Sequence, residues 1–227
     1  MRSWDSRPDC AVTDEPLYAH YLSRLPPAER SAHPDADRVM RSQPTDWRKV
    51  THALAGPAPD GARVWYQKHM AHHLTPEMDR DWILSLRNVL LVREPEEMIT
   101  SFIKVIPNPT PLDLGLPQQV ELFDFIAART GSKPMVIDAR EILTNPRDAL
   151  TRICNSVGVN FDESMLSWKP GPRDTDGVWA PHWYARVYGS TGFERYHPKN
   201  ERVPAHLSDV LRECRGLYER LVEAGGP

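Results

Sequence analysis

Two periods run through the pattern of apolar and polar positions. Short apolar runs bounded by polar or turn residues stand at Cys10-Ala11-Val12-Thr13, Arg63-Val64-Trp65-Tyr66-Gln67, Val89-Leu90-Leu91-Val92 and Met135-Val136-Ile137. Runs of this length predict strands, and the β-branched run 89–92 reads as one buried in a parallel sheet. Between them apolar residues recur at three- and four-residue spacing, which predicts helices over 17–25, 46–54, 76–86 and 118–130, the last ended by Gly131. A further helix opens at Asn145-Pro146-Arg147-Asp148, with Leu150, Ile153, Cys154 and Val157 on one face, so Cys154 reads as a core residue. The segment 26–45, rich in proline and charge, reads as a surface excursion with a weak helix. A C-terminal helix over about 204–224 carries the stripe Leu207, Val210, Leu211, Cys214, Leu217, Tyr218, Leu221 and Val222. That stripe packs on the domain, with a homodimer seam as its alternative use. Alternating strands and helices predict an α/β fold, a three-layer sandwich around a parallel sheet, as a single domain over 1–227.

The sharpest local signal is Asn88-Val89-Leu90-Leu91-Val92-Arg93-Glu94-Pro95-Glu96-Glu97. Pro95 sits where a first helical residue belongs, with Glu96 and Glu97 in the first turn. Arg93 therefore stands at the carboxyl end of a strand, where open α/β sheets bind ligands. Ser101 lies eight positions later in the helix, and an arginine and a hydroxyl so placed can converge on one phosphate near a helix N-terminus. The alternative is that Arg93 pairs with a carboxylate and Ser101 is a surface serine.

Composition narrows the classes. A net charge of −3 over 227 residues, with a pI near 6.3, argues against a nucleic-acid surface. Mean hydropathy is −0.54, and there is neither an apolar stretch of membrane-spanning length nor a secretion signal. Three well-separated cysteines suggest neither a disulfide framework nor a zinc knuckle, and a reducing cytoplasm is the expected compartment. Chemistry concentrates in Lys68-His69-Met70-Ala71-His72-His73, at the end of the second strand. His69 and His73 are four apart, but no HExxH glutamate or nearby cysteine accompanies them, so no metal site is read. Glu15 follows Asp14 at the end of the first strand, where it either faces a ligand or caps a helix begun by Pro16. The Trp- and Pro-rich segment from Trp168 to Tyr184 reads as a lid or acceptor wall, or as a hydrophobic cluster that pins a loop.

Arg93-Glu94-Pro95 with Ser101 resembles the 3′-phosphate-binding motif of the PAPS-dependent sulfotransferases, PAPS being 3′-phosphoadenosine-5′-phosphosulfate. The order of other segments is similar: Asp14-Glu15-Pro16-Leu17-Tyr18 after an early strand, Lys68-His69 at a strand end, and Ser190-Thr191-Gly192-Phe193 near the C-terminus. More narrowly, the chain resembles a sulfotransferase-like group, some of whose members are labelled by association with aminotransferases. The resemblance implies a P-loop-type fold and transfer of a sulfuryl group from PAPS to a hydroxyl or amine of a small acceptor, without metal. By it, Arg93 and Ser101 hold the 3′-phosphate, Gly192 and Phe193 approach the nucleotide, and Lys68 contacts the transferring group. His69, His72, His73 or Glu15 is the base. The family's Arg-Lys-Gly is absent, leaving Arg186, Arg195 and Lys199 as nearby substitutes. The family opens with a central strand and a loop for the 5′-phosphosulfate; here Met1-Arg2-Ser3-Trp4 looks like the tail of the helix that follows. The resemblance thus implies a missing first central strand and a chain inactive without upstream sequence. The rival readings are a non-catalytic remnant or binding subunit, and a small-molecule kinase of related fold.

Overall fold

The computed structural model describes residues 1–198 and 200–225; Lys199 lies outside them. Each of the four apolar runs forms a strand: β1 (Cys10–Asp14), β2 (Val64–Lys68), β3 (Val89–Val92) and β4 (Met135–Asp138). β1 pairs with β2 and β3 with β4, both in parallel, so the α/β class expected from the pattern is what forms. The pairs are two separate two-stranded sheets, and no fifth strand is present among the described residues. Parallel neighbours end at the same edge, and the registers place Asp14 against Lys68 and Val92 against Asp138.

The chain forms two compact units, one of residues 1–85 with 158–194, the other of 86–157 with 195–227. In the first, Tyr18, Leu22, Val39 and Trp179 make a buried cluster. The segment 26–45 therefore does more than run over the surface: its helix Ala36–Ser42 buries Val39 completely. Trp179 is 2% exposed and meets Tyr18 edge-on at 5.2 Å, so at this position the Trp-rich segment pins a loop to the core. In the second unit, Leu90, Val92, Ile99, Phe123 and Val136 pack with Leu207, Cys214 and Leu221. The C-terminal helix Ser208–Gly225 thus spends its stripe inside the chain, and only Val222, at the stripe's margin, is exposed.

Two local expectations fail for identifiable reasons. Residues 76–86 do not form an α-helix; only the 3-10 turn Asp81–Ser85 appears. The buried Arg80 guanidinium donates to the carbonyls of Leu74, Thr75 and Met78, which holds the backbone in a loop. Pro16 does not begin a helix; the helix is Tyr18–Arg24. Glu15 has φ +42° and donates its N–H to the Lys68 carbonyl at 2.9 Å, which ties the strand end to β2 and turns the chain sharply. No helix among the described residues is long and apolar enough to cross a membrane.

Candidate functional site

The parallel register of β1 and β2 delivers Asp14, Glu15 and Lys68 to one carboxyl edge. The Lys68 ammonium donates to Asp14 Oδ1 at 3.2 Å, to Glu15 Oε1 and to the Tyr184 hydroxyl at 2.8 Å. Tyr184 in turn donates to the Asp14 carboxylate, 2.8 and 2.9 Å from its two oxygens, and the Gly177 N–H lies 3.4 Å from Oδ2. The Asp14 side chain is 1% exposed, Glu15 11% and Lys68 26%, so the lysine is more open to water than either carboxylate. Burial pushes the Glu15 carboxyl up; Lys68 opposes the shift and Asp14 adds to it. Burial disfavours the charge on Lys68, but Glu15, Tyr184 and Asp14 outweigh it, and its pKa is raised. Burial also raises the Tyr184 phenol. The result is a fixed ammonium touching a carboxylate that binds a proton more readily than a free one.

The three histidines separate by environment. His69 Nε2 lies 3.3 Å from Gln67 Oε1, and Gln67 is oriented by donating its amide to the Leu54 carbonyl. Nε2 thus carries the hydrogen, and the buried Nδ1 has no hydrogen-bond partner among the described residues. Burial, then the Lys68 charge, lowers His69 to about 4. His73 is 2% exposed and stacks on Tyr18 with ring centres 4.7 Å apart; burial, then His72 and Lys68, hold it well below the ordinary imidazole range. His72 meets Tyr21 and His73 edge-on.

His69 and His73, both with lowered pKa values, set a stability dependence. A folded pKa below the unfolded value of about 6.5 means the unfolded chain binds the extra proton. Stability is then complete above pH 6.5 and is lost as the pH falls toward about 4, the folded value for His69. Thermal unfolding from pH 7.5 to 4.5 should show a falling midpoint, and His69→Gln should flatten the slope. An unchanged slope in that variant rules out His69 as a contributor.

Gly192 and Phe193 belong to the same unit. Gly192 bridges Ser167, and a Cβ there would lie 3.1 Å from the Leu166 carbonyl oxygen, so the close approach suits glycine. Phe193 meets Trp168 edge-on at 5.1 Å.

Arg93 and Ser101 belong to the second unit. Arg93 follows β3, and Ser101 lies in the helix Pro95–Phe102. Arg93 donates from Nε and Nη2 to Glu97 Oε2 at 3.3 and 3.2 Å, and its side chain remains 37% exposed. The Ser101 hydroxyl makes no hydrogen bond among the described residues. Burial works against the Glu97 charge, but the Tyr196 hydroxyl at 2.6 Å and Arg93 prevail and lower its pKa. Arg140 lies 5.2 Å over the Tyr196 ring and pairs with Glu94 at 3.1 Å. The carboxyl edge of β3 and β4 is thus lined with alternating acids and arginines.

Sequence reasoning passed over two members of the Lys68 cluster. Asp14 was legible only as the residue at the end of the first strand; aligning β1 and β2 in parallel register would have set it opposite Lys68. Tyr184 stands 116 positions from Lys68 in a loop-rich segment, and no local pattern marks it.

A sulfotransferase domain family matches residues 1–222. Two curated relatives from Arabidopsis thaliana, branched-chain-amino-acid aminotransferase-like proteins 1 and 2, are 33% and 30% identical, each over 97% of this chain. The chain spans about two fifths of their length, 39% and 38% respectively. Among solved structures, the sulfotransferase domain from the Synechococcus PCC 7002 olefin synthase is similar over 90% of this chain and 74% of its own, at 16% identity and TM-score 0.45. The sulfotransferase domain from the curacin biosynthetic pathway is similar over 90% and 77%, at 13% identity and TM-score 0.39. With a family match that runs from the first residue to the C-terminal helix, the chain belongs to the sulfotransferase domain family.

Proposed function

We propose that this protein transfers a sulfuryl group from PAPS to the hydroxyl or amine of a small acceptor, in the cytoplasm. The observation that carries the reading is the contact between the Lys68 ammonium and the Glu15 carboxylate at the carboxyl edge of β1 and β2. Sulfuryl transfer, like phosphoryl transfer, rests on positioning and charge stabilisation. An acceptor lone pair attacks sulfur, the bond from sulfur to the bridging phosphate oxygen breaks, and adenosine 3′,5′-bisphosphate (PAP) leaves with the electron pair. Lys68 contacts the transferring sulfuryl and neutralises the charge gathering on the bridging oxygen. Glu15 takes the acceptor proton; its raised pKa and contact with Lys68 make it a better base at neutral pH than His69, whose pKa is about 4.

For the donor, the Arg93 guanidinium and the uncommitted Ser101 hydroxyl have the chemistry a 3′-phosphate requires. Arg93 is partly exposed and already oriented by Glu97. Incubation with radiolabelled PAPS and panels of phenols, alcohols and amines tests the reading. Label should move to one class of acceptor, with PAP competing. PAP binding without transfer to any acceptor would replace this reading with that of a binding subunit.

A further inference from the structure

The geometry points to Tyr184 as a positioning residue that occupies, in the resting protein, the place on Lys68 that a sulfuryl oxygen takes during reaction. The inference rests on the reading of Lys68 as the group that contacts the transferring sulfuryl. An ammonium has three hydrogens, and all three are engaged: with Asp14, Glu15 and Tyr184. Any incoming oxygen must therefore displace one partner. Lysine cannot accept a hydrogen bond, and the Asp14 carboxylate cannot donate one. The Tyr184 hydrogen must then point to Asp14, 2.8 Å away, leaving the phenol oxygen as a neutral acceptor for Lys68.

The three bonds to Lys68 are unequal. Those to Asp14 and Glu15 join opposite charges, and both carboxylates are nearly closed to water, so losing Lys68 would strand a buried charge. The Tyr184 oxygen carries no charge and is the partner that costs least to release. An anionic sulfuryl oxygen that replaces it exchanges a neutral acceptor for a charged one. Asp14, held also by the Gly177 N–H, keeps the Tyr184 hydroxyl in place without competing for the same position. The arrangement predicts that Tyr184 opposes oxyanion binding at Lys68, the reverse of what a merely structural tyrosine would do.

The test uses protein labelled with 15N-lysine, with the Lys68 ammonium signal identified by its disappearance in Lys68→Met. Inorganic sulfate, against a chloride control of equal ionic strength, is the probe. In the native protein sulfate should move the Lys68 signal. In Tyr184→Phe, which keeps the ring, the same shift should occur at a sulfate concentration between about twofold and tenfold lower, the size of one released neutral hydrogen bond. Tyr184→Leu also lacks the hydroxyl and serves if the phenylalanine variant does not fold. Equal or weaker sulfate binding in the hydroxyl-free variant overturns the inference while leaving Lys68 as an oxyanion contact. A Lys68 signal that sulfate moves in neither protein overturns the reading of Lys68, and the inference with it.

Discussion

Lys68→Met and Glu15→Gln are each expected to lower sulfuryl transfer from PAPS by at least about a hundredfold, with PAP affinity nearly unchanged. Methionine fills the space of the lysine stem but leaves Asp14 and Glu15 without their shared cation, so the bridging oxygen gains charge without a counter-ion. Glutamine keeps the size of Glu15 and can still accept from Lys68, but it cannot take a proton. The loss in that variant therefore isolates proton transfer from packing. Steady-state transfer with radiolabelled PAPS, paired with PAP titration calorimetry, separates the two effects. Near-native turnover in both variants would remove the Lys68 cluster from the reaction. Loss in His69→Gln with retention in Glu15→Gln would move the base to His69.

The second large effect belongs to Arg93. Arg93→Ala should weaken PAP by about 1.5–3 kcal/mol, as expected for a charge-assisted hydrogen bond, and leave 5′-AMP almost untouched. The discrimination arises because only PAP carries the 3′-phosphate. Glu97 makes the prediction two-sided, since it shares the guanidinium and its negative charge opposes an incoming phosphate. Glu97→Gln should accordingly tighten PAP while sparing 5′-AMP. Isothermal titration of the native protein and both variants with the two nucleotides provides the measurement. An equal loss for PAP and 5′-AMP in Arg93→Ala would mean that Arg93 does not read the 3′-phosphate.

By itself the sequence determined what depends on neighbours along the chain. The apolar runs at 10–13, 63–67, 89–92 and 135–137 became strands because strand formation there is a matter of local burial and β-branched content. Pro95 and Gly131 marked a helix start and a helix end because a fixed φ and a positive φ are local properties, the latter +71° at Gly131. The C-terminal stripe revealed an inward face for the same reason. The places of Arg93 after a strand and of Ser101 in the next helix were legible because both depend only on that strand end and helix start.

Only the tertiary structure decided how charge was shared. Parallel pairing of β1 and β2 set Asp14 against Lys68, 54 positions apart, and the fold returned Tyr184 to the same ammonium from 116 positions away. Residues 76–86 had helical periodicity, yet the Arg80 guanidinium gathers the Leu74, Thr75 and Met78 carbonyls and holds the backbone in a loop. His69, His72 and His73 were indistinguishable as candidates in the sequence. The fold gave each a different setting, because what packs around an imidazole is decided by the whole chain: His69 faces Gln67, His72 meets Tyr21 edge-on, and His73 stacks on Tyr18.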